Sequence, residues 1–212
     1  MKRMAFLGYL VLFLAPIVFA QEKIEAPVWN VGDKWTFTGN GTVEVMKADA
    51  NGYTLNFSER ICMAETQGYS AILFERASLS RIYSVKGDKR KKYKEGLGKI
   101  FDFPLSVGKQ WRYNYSGTAQ GWGGPMNVDF YENYKILGWE DIGAEAGKFK
   151  AVRLEYLRHF ITPTGNKTGE IKHLYWYSPD AKYFIKCQYD KDWMKDKKEI
   201  FNWELTSFQL KK

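Results

Sequence analysis

The side chains able to hold a metal ion or run a nucleophilic reaction are few. The chain of 212 residues has two histidines, His159 and His173, and two cysteines, Cys62 and Cys187. The histidines flank the turn-like stretch TPTGNKTG, with two residues intervening before it and three after it, so hairpin pairing would set them side by side on adjacent strands. A zinc ion would need further ligands of the right type, and Glu155 and Glu170 are the nearest candidates. A polar cross-strand pair on the solvent face explains the same spacing, and it is the expectation. No metal site, cofactor or catalytic residue is assigned.

The cysteines carry no local reactive signature such as C-x-x-C. Alternation places Cys187 with Tyr183, Ile185 and Tyr189, and Cys62 with Ser58 and Arg60. In an exported protein the two could form a disulfide, closing ~125 residues and adding about 4–5 kcal/mol if unstrained. Two separate buried thiols are the alternative, and both readings stay open. The chain also lacks G-x-S-x-G, H-E-x-x-H, a phosphate-binding G-x-x-x-x-G-K-S/T loop and an acidic calcium loop. Enzymatic activity has no motif in its favour.

The elements that must position any site read as strands. WTFTG, TVEVM, YTLNFSERICM, AILFERASLSRIYSV, WRYNYSG, NVDFYENYKIL, KFKAVRLEYLRHFI, IKHLYWYS, YFIKCQYD and EIFNWELTSFQL alternate in polarity and are rich in aromatic and β-branched residues. In AVRLEYLRHF, Val152, Leu154 and Tyr156 take one face, and Arg153, Glu155 and His159 take the other. No segment holds a helical stripe for three turns. The expectation is an all-β fold: an antiparallel, strongly curved sheet, half-barrel or sandwich of about ten strands in one domain over residues 21–212.

One phrase is written twice. VGDKWTF begins at Val31 and VGKQWRY at Val107. In each, a glycine (Gly32 or Gly108) admits a backbone conformation closed to other residues, and two rings then fall on one face. Trp35 with Phe37, and Trp111 with Tyr113, are expected to anchor one shared core. Gly52 before Tyr53 and Gly147 before Phe149 follow in order, and then Tyr83-Ser84 and Tyr177-Ser178. This order is read as two pseudo-repeated units, 28–100 and 101–212, with a chance match of common strand-opening residues as the alternative.

The phrases FPLSVGKQWRY, AGKFKAVRLEY, YWYSPDAKYFIKCQYD and the closing ELTSF resemble a recurring set in exported bacterial β-rich proteins without an assigned activity. Those proteins are similar in pattern to curved-sheet, half-barrel proteins of the bacterial envelope, some of which shelter lipid chains. The resemblance covers roughly residues 103–208, and it implies location and fold with no catalytic residue to carry over.

The first 20 residues, MKRMAFLGYLVLFLAPIVFA, pair a basic start with an uncharged run ending at Val18-Phe19-Ala20. They read as a cleavable signal peptide, giving a mature N-terminus at Gln21 and a periplasmic or extracellular protein. Without Lys2 and Arg3 the 32 basic residues become 30 against 24 acidic ones, a net +6. An exported protein with that modest excess is not expected to bind nucleic acid. Two charge runs, Lys86–Lys99 and Asp190–Glu199, read as solvated turns, with an anionic surface contact as the sharper alternative.

Eight Trp, 14 Tyr and 14 Phe exceed what one core needs. The favoured function is therefore non-catalytic: an apolar or amphiphilic ligand, such as a lipid, held in an aromatic-lined curved sheet. The alternative is a sugar- or polymer-binding module with Trp122, Trp139 and Trp193 as exposed platforms. The GWGGP loop around Trp122 is the candidate rim of a ligand space. No stable protein partner is inferred.

Overall fold

A computed structural model describes residues 22–58, 70–93, 99–121, 124–166, 170–189 and 202–212. The signal-peptide reading, Cys62, Trp122, Trp193 and the Asp190–Glu199 run lie outside them.

The described chain is all-β, with one 3-10 turn at Thr38–Asn40. Twelve strands form a single antiparallel sheet. The first six are β1 (Lys34–Phe37), β2 (Thr42–Asp49), β3 (Gly52–Phe57), β4 (Ala71–Phe74), β5 (Arg81–Lys86) and β6 (Lys89–Lys92). The second six are β7 (Gln110–Gly121), β8 (Gly124–Ala144), β9 (Gly147–Ile161), β10 (Ile171–Ser178), β11 (Tyr183–Tyr189) and β12 (Trp203–Gln209). The order is β6-β5-β4-β3-β2-β1-β12-β11-β10-β9-β8-β7. Each set of six is a meander of neighbours, and the first and last strands of the fold meet in the middle of the sheet. β6 and β7 are its edges.

The sheet is strongly curved. Five strand spacings separate β4 from β11, about 24 Å on a flat sheet. Yet the Trp29 ring lies 6.4 Å from Phe74 on β4 and 5.8 Å from Tyr183 on β11, so those two rings are within about 12 Å of each other. Trp29 occupies the hollow between them. It also contacts Trp35 at 5.8 Å and Tyr53 at 5.3 Å, and its indole donates to the Lys182 carbonyl at 2.9 Å.

A second internal segment fills the hollow beside it. The link from β6 to β7 must join opposite edges of the sheet, and it does so across the inward face. Phe101 stacks on Phe184 at 4.7 Å and meets Tyr177 edge-on at 5.4 Å. Leu105 exchanges two 2.8 Å backbone hydrogen bonds with Ile24, tying the link to the N-terminal segment. The half-barrel is thus packed by its own chain over much of its length.

The two copies of the repeated phrase build the same turn. Asp33 N–H donates to the Asn30 carbonyl at 3.0 Å, and Lys109 N–H to the Ser106 carbonyl at 3.0 Å. Gly32 (φ 85) and Gly108 (φ 81) stand third in their turns, where a type II turn requires positive φ. Each glycine N–H then crosses to the neighbouring strand, at Val45 or Ile136. Each phrase opens the first strand of a meander, but the surroundings differ. β1 lies in mid-sheet, with Trp35 fully buried, whereas β7 is an edge strand and Trp111 is only half-buried. Trp111 therefore anchors the shared core less completely than Trp35, because an edge strand has neighbours on one side only. Gly52 and Gly147 both open the third strand of their six, at φ 133 and 137. Tyr83-Ser84 falls in a fifth strand and Tyr177-Ser178 in a fourth, so the correspondence stops there.

Candidate functional site

Antiparallel register sets inward side chains of β7 to β10 in cross-strand rows. One row is Trp111, Tyr134, Tyr156 and His173; the next is Tyr113, Glu132 and Arg158; the third is Tyr115, Phe130 and Phe160. A charged row therefore lies between two aromatic ones. The rings stack along the edge: Trp111 on Tyr134 at 5.2 Å, Tyr113 on Tyr134 at 6.1 Å, and Tyr115 on Phe130 at 4.9 Å.

Glu132 is 1% exposed, and a buried carboxylate persists only with partners. Tyr115 donates its hydroxyl to Oε1 at 3.1 Å, and Tyr134 donates to Oε2 at 3.1 Å. Arg158 Nε lies 3.7 Å from Oε1, and its guanidinium covers the Phe130 ring at 4.6 Å. Burial pushes the Tyr134 phenol well above its ordinary pKa, and neighbouring Tyr113 and Glu132 add to the rise. The phenol therefore keeps its proton and stays a donor to Glu132. With two phenols and a guanidinium on it, Glu132 is set as a fixed charge in an aromatic wall.

The histidines are not side by side. His173 pairs across the ladder with Tyr156, three residues before His159, and the odd offset puts the two histidines on opposite faces. His159 stacks on Tyr131 at 5.1 Å, away from the inward rows. Glu155 is engaged by Lys172 at 2.7 Å. Among the described residues no three His, Cys, Asp or Glu side chains converge on a point that could hold an ion.

His173 instead faces inward, with its Nδ1 3.8 Å from Cys187 Sγ and its ring 4.8 Å from Tyr189. The sequence reading did not bring these two together. Both are buried, at 4% and 1% exposed, and a reactive thiolate needs a partly open, electropositive setting. Their contact packs the interior.

Trp139 lies on β8 at the far end of the sheet, half-buried, with the Lys150 ammonium 4.6 Å above its ring. Beside it, Glu140 accepts from the Trp176 indole at 2.7 Å and pairs with Arg153 at 2.6 Å. The residues missed by sequence reading are Glu132, Arg158, Tyr113 and Tyr115. Their signal was present: Glu132 holds an inward phase between Phe130 and Tyr134, and Arg158 holds one after Tyr156.

No protein-family model and no curated protein matches the chain. Solved structures do match it. One is a Bacteroides fragilis protein described as exported with a YmcC-like fold, at 11% identity and TM-score 0.44, covering 88% of this chain and 99% of that one. Another is the hypothetical lipoprotein YmcC of Escherichia coli, at 8% identity and TM-score 0.46, covering 89% and 90%. A Parabacteroides distasonis protein described as a lipoprotein matches at 10% identity and TM-score 0.41, covering 89% and 100%.

Proposed function

We propose that the protein is a non-catalytic, exported binding protein that holds an amphiphilic ligand along the inward face of β7. Export is read from the N-terminal leader-like stretch. The observation that carries the binding reading is a difference in cover. Trp35 and Tyr183 also face inward and are sealed, at 0% and 1% exposed. Trp111, Tyr113 and Tyr115 face the same hollow but are only partly buried on the edge strand. Stacked rings cover each other's faces and leave their edges open. That surface suits an acyl chain better than a sugar ring, which wants an open aromatic face. The ligand's polar end would meet Arg158, whose side chain is 21% exposed beside the charged row.

The test is titration of a fluorescent fatty-acyl probe into wild type and into Tyr113→Ser and Tyr115→Ser variants, with near-UV circular dichroism to establish folding. Saturable micromolar binding, weakened about tenfold or more in a folded variant, is the expected result. Absence of saturable binding to wild type overturns the reading, and so does binding unchanged in both folded variants.

A further inference from the structure

The other edge of the sheet has a separate chemistry. β5 and β6 form a two-residue hairpin in which Lys86 pairs with Lys89 around Gly87-Asp88. Gly87 has φ 55 at the first central position, as a type II′ turn requires. All four residues of β6, Lys89, Arg90, Lys91 and Lys92, are exposed. With Lys86 they put five bases against the single acid Asp88 within seven residues.

Several bases elsewhere on the sheet stand beside carboxylates. Lys34, Lys47, Lys150, Arg153, Lys172 and Lys186 each lie within 3.4 Å of one. Among the described residues no carboxylate pairs with a base of β6. The cations rest on tyrosines instead: Arg90 lies 3.6 Å over Tyr83, and the Lys91 ammonium lies 5.1 Å from Tyr93. Charge on an edge strand blocks pairing with other sheets. Here four consecutive exposed bases form an unbroken cationic strip, two of them backed by rings.

We propose that the β5–β6 hairpin docks on an anionic lipid bilayer, its lysines and Arg90 on headgroup phosphates and its tyrosines at the interface. Alternation along β6 sends Lys89 and Lys91 to one side and Arg90 and Lys92 to the other, so a flat charged surface meeting the strand edge engages both sets. The proposal is independent of any ligand on β7, at the opposite edge of the sheet.

The test is sedimentation of the protein with vesicles of phosphatidylglycerol and phosphatidylcholine in equal parts, and with phosphatidylcholine alone. Each base near such a surface contributes about fivefold in partitioning. Lys89→Gln with Lys91→Gln is therefore expected to lower binding to the anionic vesicles by about 10- to 30-fold. Lys135→Gln with Lys148→Gln, which removes equal charge elsewhere, should leave it within about threefold, and added salt should weaken wild type. Absence of wild-type binding to anionic vesicles at low salt overturns the proposal. Equal losses in the two double variants overturn it too, since net charge alone would then explain binding. Displacement from vesicles by sub-stoichiometric soluble polyphosphate would assign the hairpin to a free polyanion and also overturn it.

Discussion

At the residue scale, Glu132 is a buried carboxylate that accepts from two phenols beside the Arg158 guanidinium. Replacing it with alanine leaves Arg158 and two phenols facing an emptied row, and should destabilise the fold by about 3–5 kcal/mol in urea denaturation. A loss under about 1 kcal/mol would mean the carboxylate is not engaged as described. The buried phenols give a pH dependence. Burial raises Tyr134, Tyr177 and Tyr183 above the ordinary 10.0 in the folded state. The unfolded chain therefore loses these protons first. Their contribution is complete below pH 10 and declines as pH rises beyond it. Tyrosinate absorbance for these groups should appear only together with unfolding; ordinary reversible titration of every tyrosine in folded protein would contradict their burial. The charged row was legible in principle, because alternation puts Glu132 and Arg158 in phase with aromatic residues. What alternation cannot supply is the lateral partner, since register across three strands depends on bulges such as the one between Ile136 and Gly138.

At the element scale, the repeated phrase shows how one local sequence serves two places. The turn follows from Gly32 or Gly108 wherever it lies, while the variable position ties each copy to its surroundings. Asp33 accepts from the Asn30 and Lys211 backbones, at 2.9 and 2.6 Å. Lys109 pairs with Asp102 at 3.0 Å and donates to the Pro104 carbonyl at 3.0 Å. Trp35→Ala should therefore lose about 3–5 kcal/mol and Trp111→Ala only about 1–2, by chemical denaturation of each. Equal losses would contradict the difference between a central and an edge strand. Alternation gave about ten strands where the described residues hold twelve, for local reasons. AILFERASLSRIYSV reads as one run, but it turns at residues 75–80, where Glu75 N–H donates to the Ser80 carbonyl at 2.8 Å and Leu79 takes φ 51. That turn lacks Gly and Pro, and its one sequence signal is Ser78, whose hydroxyl accepts from the Ser80 N–H at 3.0 Å. β6 was hidden for the opposite reason: four bases carry no apolar face.

At the scale of the whole molecule, the pairing of β1 with β12 decides cooperativity. The two six-strand meanders join there, with Trp35 opposite Phe208 and Phe37 opposite Leu205, while among the described residues β12 meets β11 through two register pairs. Ending the chain at Asn202 should abolish the single unfolding transition in calorimetry; a truncated chain that still melted cooperatively would show the halves to be independent. The curved all-β fold was legible from alternation and turn residues. The self-filling of the hollow was not, because Trp29 and Phe101 lie in segments without periodicity, whose destination depends on the finished sheet. That packing leaves the inward face of β7 as the partly buried aromatic surface on which the functional account depends. Hydrogen exchange read by mass spectrometry, with and without a saturating fatty-acyl ligand, tests it most directly. The account predicts slower exchange across residues 110–121 of β7 and the facing part of β8, with β1 and β12 unchanged. Protection confined to other strands, or none at β7 in ligand-saturated protein, would contradict it.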